Sequence, residues 1–507
     1  MKNVFAPIER LVAALTDKSR RERTVVLVLA AYTAVWTLYG TLSKASQDIH
    51  TDMAEMVAWS RELALGYPKH PPFGAWLARA WFTVFPMDDW AFYLLAMTVA
   101  AVALWIAWRA AGDYLDGERR VLALAALMLV PFFNFHALKY NANTVLVPLW
   151  AATTWCFLRS YERRSAGWAA LAGLFAAGAM LGKYWSIFLL AGLAIAALLD
   201  SRRAIYFRSA APWVTIAVGA VALAPHVIWL FSSDFAPIRY ARIVHATNEG
   251  GALNNAVTYV THSFAYIALA VLLLLGVIRP GRKAALDILR PAAPERRLAA
   301  ACLSLPFLLP ILLPLLEDIN ITSLWSMSAW TLLPVMLLSS PLVAIHRPAM
   351  LTVIAVAIVL PPVMVAAAPA IALAIHRGGG EQPLEPAAAH SSLLAGPILY
   401  EWQKVTGRPL RIVGGDAALA FGVAFYLPGR PSAFPSFRSD TVHWPDQQRL
   451  RRDGVALVCA AKEPDCLGSV GGQGLAGKQT DITVARTFRG VTGASKTYSI
   501  VIVPPAP

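Results

Sequence analysis

Charge is scarce in this chain: Asp, Glu, Lys and Arg supply 15% of its 507 residues, while 57% are hydrophobic and the mean hydropathy is +0.54. That balance excludes an ordinary soluble globular protein and places most of the chain in lipid. Acids are scarcer than bases, 30 against 44, for a formal net charge of +14. In a chain that crosses a membrane repeatedly, excess Lys and Arg collect in cytoplasmic loops, so the charge is assigned to topology and no nucleic-acid partner is inferred. Cysteine is sparse too. Of the four, Cys156 and Cys302 lie within apolar runs and read as small buried hydrophobes. Cys459 and Cys466 lie in a polar tail, where they form either a disulfide closing a short loop, if the tail is outside the cytoplasm, or two free thiols. There is no fixed-period repeat and no glycine-rich phosphate loop. Nor is there a His/Cys/Asp cluster with metal-ligand spacing. Glu317 and Asp318 offer a pair of carboxylates to a divalent ion, although adjacent acids at a helix end are usually solvated. Arg10, Lys18, Arg20, Arg21 and Arg23 precede the first apolar run, but no small-residue cleavage site follows it, which predicts an uncleaved first span.

Apolar runs near the ~20 residues needed to cross the hydrocarbon core fall at 24–42, 90–109, 120–136, 143–159, 166–182, 184–200, 210–231, 256–278, 299–316, 326–345 and 350–375. They predict an all-α polytopic membrane protein with about eleven transmembrane helices over residues 1–375. The loops 1–23, 109–120, 159–164, 202–208 and 279–297 with Arg347 hold about 22 Lys and Arg, and the alternate loops about 8, so the first set is cytoplasmic. Segments 43–89, 136–143, 183–184, 232–255 and 317–323 then share the opposite face, and an odd number of spans puts the tail there as well. HRGGGEQPLEPAAAHSS, at 376–392, reads as a linker. Beyond it, residues 393–507 mix a helix-like segment at 393–405 with strand-like runs at 410–413, 455–459 and 498–503. They predict a small extracytoplasmic α/β domain.

The polar residues on that outer face are the candidates for chemistry. Asp48, Asp52 and Glu55 are spaced four and three apart. A continuous helix would carry them as one carboxylate ridge, with Met53, Met56, Val57 and Ser60 turned toward the membrane. Asp52 followed by Glu55 also matches an ordinary N-cap with an acid at N3, and both readings stand on pattern alone. Lys183, in LGKYW between two apolar spans, is costly unless an anion meets it, or else it snorkels from a helix end. The other cations on this face are Lys69, His70, Lys139, Arg239 and Arg242. Asn143 is either a hydrogen-bonding amide or a helix N-cap. His226 either faces a cavity or is a satisfied structural histidine. Segment 232–255 exceeds a simple connector; Asp234, Tyr240, Arg242 and His245, with Gly250 and Gly251, suit a mobile lid.

The run DMAEMVAWSRELALGYPKHPPFGAWLARAWF, beginning at Asp52, resembles the first external loop of bacterial membrane glycosyltransferases that take a sugar from a polyprenyl phosphate. These are the GT-C enzymes of the protein-mannosyltransferase, lipid A aminoarabinose and galacturonosyl transferase type. Their pattern reads D-E-x-x-Y, then W-S, then L-x-x-G-Y, then H-P-P or K-P-P. Asp52, Trp59, Ser60, Leu63, Gly66, Tyr67, His70, Pro71 and Pro72 fall at the matching spacings, while Met53 and Met56 replace the second acid and the aromatic. FYLPGRPSAF, at 425–434, resembles a piece of the family's extracytoplasmic tails. The His-Pro-Pro form and the Lys139-Tyr140-Asn141 element look closer to the uronosyl and hexosyl transferases than to the aminoarabinose enzyme.

The resemblance implies a GT-C fold in a bacterial inner membrane, with active site and tail domain on the periplasmic side. It implies inverting transfer of a monosaccharide from a polyprenyl-phosphate sugar to a lipid or cell-envelope glycan, such as lipid A or a lipopolysaccharide core. Asp52 is then the general base or the residue that orients the acceptor. Lys183, His70, Lys139 and Arg242 are the cations for the donor phosphate. Asp48, Glu55, Tyr184, Asn143, His226 and Tyr240 lie around the acceptor or behind these groups. Asn143 stands where many relatives carry an Asp, and a neutral amide serves neither as base nor as metal carboxylate. No cofactor is required by this chemistry, and a divalent metal stays open. The alternative class is a transporter or flippase of lipid-linked substrates with an accessory domain, which usually shows broken midplane helices and internal repeats. Neither is clear in this sequence.

Overall fold

The computed structural model of the chain describes residues 5–246, 251–317, 319–378, 390–435, 447–461, 466–467 and 477–506. Apolar side chains remain on the outside of its helices: Leu174, Leu199, Ile216, Val221, Phe231 and Leu272 are all exposed. Water would not tolerate that surface, but lipid solvates it, and a helix satisfies its own backbone polar groups there. Among the described residues six helices are long and apolar enough to cross a membrane: Arg21–Ser43, Asp89–Ala111, Ala211–Ser232, Ala252–Ile278, Pro294–Glu317 and Arg347–Gly378. The other expected spans are covered by Gly117–Met128, Ala142–Arg163, Ala166–Gly182, Ile187–Leu199 and Ser323–Leu338. Ala166–Gly182 packs closely on Ala211–Ser232 because Gly173 has no side chain; a Cβ there would lie 2.4 Å from the Thr215 carbonyl oxygen. Small residues at such crossings let membrane helices approach backbone to backbone.

Two expected spans are shorter than their apolar runs. The run at 120–136 leaves the α-helix at Met128, and Pro131 opens a single 3₁₀ turn, Pro131–Phe133. The run at 326–345 is 3₁₀ over Ser323–Leu332, α-helical over Leu333–Leu338 and non-helical from 339 to 346. Pro341 disfavours helical geometry at the residue before it. Carbonyls freed there are met by Arg119, which donates to Leu338 at 3.1 Å, Ser340 at 3.2 Å and Val343 at 2.7 Å.

The chain divides into two compact units. The first is Met1–Thr37, Lys69–Phe73 and Leu94–Val363; the second is Leu38–Pro68, Gly74–Tyr93 and Met364–Pro507. Within the second unit the tail folds as an α/β domain. Its strands are β1 (Ile412–Gly415), β2 (Ser432–Pro435), β3 (Val455–Ala460), β4 (Lys478–Val484), β5 (Thr487–Phe488), β6 (Val491–Thr492) and β7 (Lys496–Val503). Five form one sheet in the order β2-β1-β3-β7-β4, parallel between β2, β1 and β3 and antiparallel from β3 through β7 to β4. The expected runs at 410–413, 455–459 and 498–503 correspond to β1, β3 and β7. The chain leaves β1 through Gly415, at φ 111°, into the helix Ala417–Tyr426, whose first amides are capped by the Asp416 carboxylate. Cys459 and Cys466 are joined in a disulfide with Cα atoms 5.9 Å apart, and Cys156 and Cys302 are free and buried. Of the segment read as a linker, 376–378 continue the long helix and Ser391 opens the next one, Ser391–Val405. Residues 379–389 lie outside the described ones.

Candidate active site

The acidic residues of the first loop belong to the second unit. The helix Thr51–Ser60 starts because His50, in extended conformation, caps it: its Nδ1 accepts the Asp52 N–H at 3.0 Å. That nitrogen must be unprotonated to accept, so a neutral His50 carries its hydrogen on Nε2. The cap is therefore not Asp52, which sits in the first turn with its carboxylate 4.0 Å from His50 Nδ1 and its side chain 30% exposed. Asp52 gains from the partial positive charge of the helix N-terminus and stays within reach of solvent.

The expected carboxylate ridge does not form. Asp48 precedes the helix in extended chain, is 5% exposed, and pairs with the Arg486 guanidinium and the Ser392 hydroxyl. Glu55 does lie one turn beyond Asp52, but at 7% exposure it is buried rather than solvated. Met53 and Met56 are also buried, so packing within the protein replaces a membrane-facing side. The W-S and L-x-x-G-Y positions have a structural explanation. Tyr67 stacks on Trp59 with ring centroids 5.2 Å apart, and its hydroxyl lies 2.8 Å from the carbonyl oxygens of Trp59 and Glu62. Arg79 donates to the Ser60 carbonyl at 3.0 Å, so the carbonyl end of the acidic helix is closed by side chains.

The cationic residues belong to the first unit. Lys183 ends the helix Ala166–Gly182 in extended conformation, and its Nζ donates to Asn143 Oδ1 at 2.8 Å. Asn143 is available for this because Asn141, not Asn143, caps the helix Ala142–Arg163, accepting from the amides of Asn143 and Thr144. The Lys183 ammonium also lies 4.2 Å from the centre of the Trp325 ring. Asn143 and Trp325 are both neutral groups, and they help to orient the ammonium. Trp325 meets Trp185 and His245 edge-on, at 4.8 Å and 5.1 Å between ring centroids. Burial, then the charges of Lys183 and Lys69, hold the His245 imidazole below its ordinary range. Beside them Tyr184 hydrogen-bonds His226 Nε2 at 2.9 Å, and the buried His226 stacks on Trp229 at 5.5 Å.

Other candidates are placed less tightly. His70 and Lys139 are partly buried in the first unit, and the Lys139 carbonyl accepts from Thr144 Oγ1 at 2.7 Å. Segment 232–255 contains the helix Ala236–His245, with Arg242 exposed and Tyr240 partly buried. Arg239 is paired with Asp234 at the surface. Gly250 and Asp318 lie outside the described residues; Glu317 is exposed. Among the described residues no group of three or more His, Cys, Asp or Glu is placed to hold a metal ion. Sequence reasoning missed His50, Trp325 and Trp185, which are brought in by folding alone.

Residues 69–229 match the family described as dolichyl-phosphate-mannose-protein mannosyltransferase. The chain is 26% identical over 252 residues to the lipid A galacturonosyltransferase RgtD of Rhizobium johnstonii, covering 48% of this chain and 51% of that protein. It is 29% identical over 266 residues to the lipopolysaccharide core galacturonosyltransferase RgtB of the same organism, covering 51% and 52%. The matched part therefore spans about half the length of these curated relatives. The fold is similar to that of ArnT from Cupriavidus metallidurans, solved bound to undecaprenyl phosphate, with a TM-score of 0.60 and 14% identity over 94% of this chain and 97% of that one. The resemblance drawn from the first loop is borne out: the sequence matches are to a mannosyltransferase family and to galacturonosyltransferases, and the fold is similar to that of ArnT.

Proposed function

We propose that this chain is an integral-membrane, inverting glycosyltransferase. In this reading it moves a monosaccharide from a polyprenyl phosphate to lipid A or a lipopolysaccharide core, at the periplasmic face of a bacterial inner membrane. The observation that carries the reading is Lys183, a lysine set between two apolar helices and oriented by Asn143 and Trp325. A cation at the junction of two apolar helices is placed to receive an anionic group of a lipid-borne substrate. Transfer breaks the bond between the anomeric carbon and the phosphate oxygen, and the departing phosphate keeps the electron pair, so a pre-oriented ammonium stabilises the charge as it grows. The acceptor oxygen forms the new bond from the opposite side of the anomeric carbon. When the acceptor is a hydroxyl, its proton passes to the Asp52 carboxylate. When the acceptor is a phosphate, no proton has to be removed and Asp52 orients the sugar.

The relatives favour a uronosyl donor. Such a sugar brings a carboxylate besides the phosphate, and in this reading a second cation, Lys69, meets it. A transporter is not favoured, because the nearest chemistry among the relatives is glycosyl transfer rather than transport. Mass spectrometry of envelope glycolipids from cells with and without the protein is the test. A glycolipid larger by one monosaccharide, present only with the protein, is expected; identical glycolipid profiles overturn the reading.

A further inference from the structure

The second unit shows a contact pattern that glycosyl transfer alone does not require. The acidic helix Thr51–Ser60 is held at both ends by the tail domain. Before its first turn, Asp48 is paired with Arg486 and accepts from the Ser392 hydroxyl and amide. The Ile49 N–H donates to the Tyr426 hydroxyl at 2.9 Å, and that hydroxyl in turn donates to the Asp89 carboxylate at 3.0 Å. After its last turn, Arg61 donates to the carbonyls of Ala424, at 2.9 Å, and Pro431. Glu62 accepts from the Ser432 hydroxyl at 3.0 Å and from Arg449 at 2.7 Å. Burial holds the Arg61 guanidinium down at about 10, with the charge of Arg430 adding to the effect. A guanidinium is taken out of water in this way only where backbone acceptors replace the water.

These bonds all fall on the residues that flank the helix, 48–49 and 61–62, and they come from the last turn of the tail helix Ala417–Tyr426, from Pro431 and Ser432 beyond it, and from Ser392, Arg449 and Arg486 in other segments of the tail. A domain that was merely appended would need no paired tethers there. Two tethers on opposite ends of a ten-residue helix fix its position along its axis and its rotation about it, and rotation decides where Asp52 points.

We propose that Tyr426 and Arg486 are positioning residues, through which the tail domain clasps the acidic helix and sets the direction of the Asp52 carboxylate. The consequence for catalysis rests on the reading of Asp52 given above; the clasp itself does not. Tyr426→Phe removes one hydroxyl and both of its bonds while keeping the ring. Hydrogen exchange of peptide 49–60 in the full-length protein in nanodiscs reports the clasp. Undecaprenyl phosphate affinity reports the cationic residues, and glycolipid product in cells reports turnover. For Tyr426→Phe, exchange at 49–60 should rise about tenfold and product should fall about tenfold, with undecaprenyl phosphate affinity unchanged. Arg486→Lys keeps a cation for Asp48 and should retain more product than Arg486→Gln. Unchanged exchange at 49–60 overturns the clasp. Raised exchange with wild-type product overturns positioning, and a parallel loss of undecaprenyl phosphate affinity shows a general folding fault and overturns it too. Asp52→Asn with full product refutes the role of Asp52 alone, while the exchange result still judges the clasp.

Discussion

At the scale of single residues, two side chains carry most of the argument. Lys183→Ala removes the oriented ammonium and leaves Asn143 and Trp325 in place. A charged hydrogen bond of this kind corresponds to roughly a tenfold to hundredfold loss of undecaprenyl phosphate affinity, measured by titration of the purified protein. An unchanged affinity makes Lys183 a snorkelling lysine. Asp52→Asn keeps the shape of the side chain and does not touch the cap, which belongs to His50. Transfer to a hydroxyl acceptor should fall by about 10²–10⁴ with normal folding and donor binding; a wild-type rate eliminates the base. Both residues were legible in the sequence, one as a charge between apolar runs and one through a spaced motif. Trp325 was not, since it meets Lys183 from 142 positions along the chain, an interval that no local pattern encodes. Asn143 was legible as a polar residue but not as the partner of Lys183, because its role was decided by which of two nearby asparagines took the cap.

At the scale of elements, hydropathy located the spans but not their internal geometry. The run at 326–345 is apolar throughout, and composition cannot tell α from 3₁₀ hydrogen bonding, so the break after Leu338 was invisible. The tail strands were legible where they are buried and rich in β-branched residues, as in β3 and β7. They were missed at the sheet edge, where β4 reads KQTDITV and is largely exposed. The join between the helix Ser391–Val405 and β7 makes a pH-dependent prediction. His390 Nδ1 is 2.9 Å from the Tyr498 hydroxyl. Burial, with Arg486 and Lys496 adding to it and Asp48 opposing it, lowers the imidazole to about 4 from its ordinary 6.5. As pH falls below 6.5 the unfolded chain takes this proton first. The contribution to stability is therefore complete above 6.5 and is lost progressively down to about 4. The protection factors of β7 amides, exchange rates corrected for the intrinsic pH dependence, should fall between pH 7 and 5 more in the wild type than in His390→Gln; an equal fall in both assigns the effect to other groups.

At the scale of the whole molecule, the charge of the loops predicts the orientation. With the Lys- and Arg-rich loops inside, the tail beyond residue 392 should lie in the periplasm. Alkaline phosphatase fused after Pro507 should be active, while a reporter that works only in the cytoplasm should be silent; the reverse result inverts the topology. The disulfide between Cys459 and Cys466 is in keeping with an oxidising compartment. Composition made the membrane spans legible, because a membrane imposes the same length rule on each of them. The attachment of the first loop to the tail domain was not legible, since its pairs lie hundreds of residues apart.

The same attachment bears on how the protein is made. Asp48 and Arg486 are separated by 438 positions, so the acidic loop leaves the ribosome with the first span and waits through the synthesis of nearly all the others. Its partner residues arrive only with the final segment of the chain. The earliest loop to be made is therefore among the last parts of the chain to acquire its working shape.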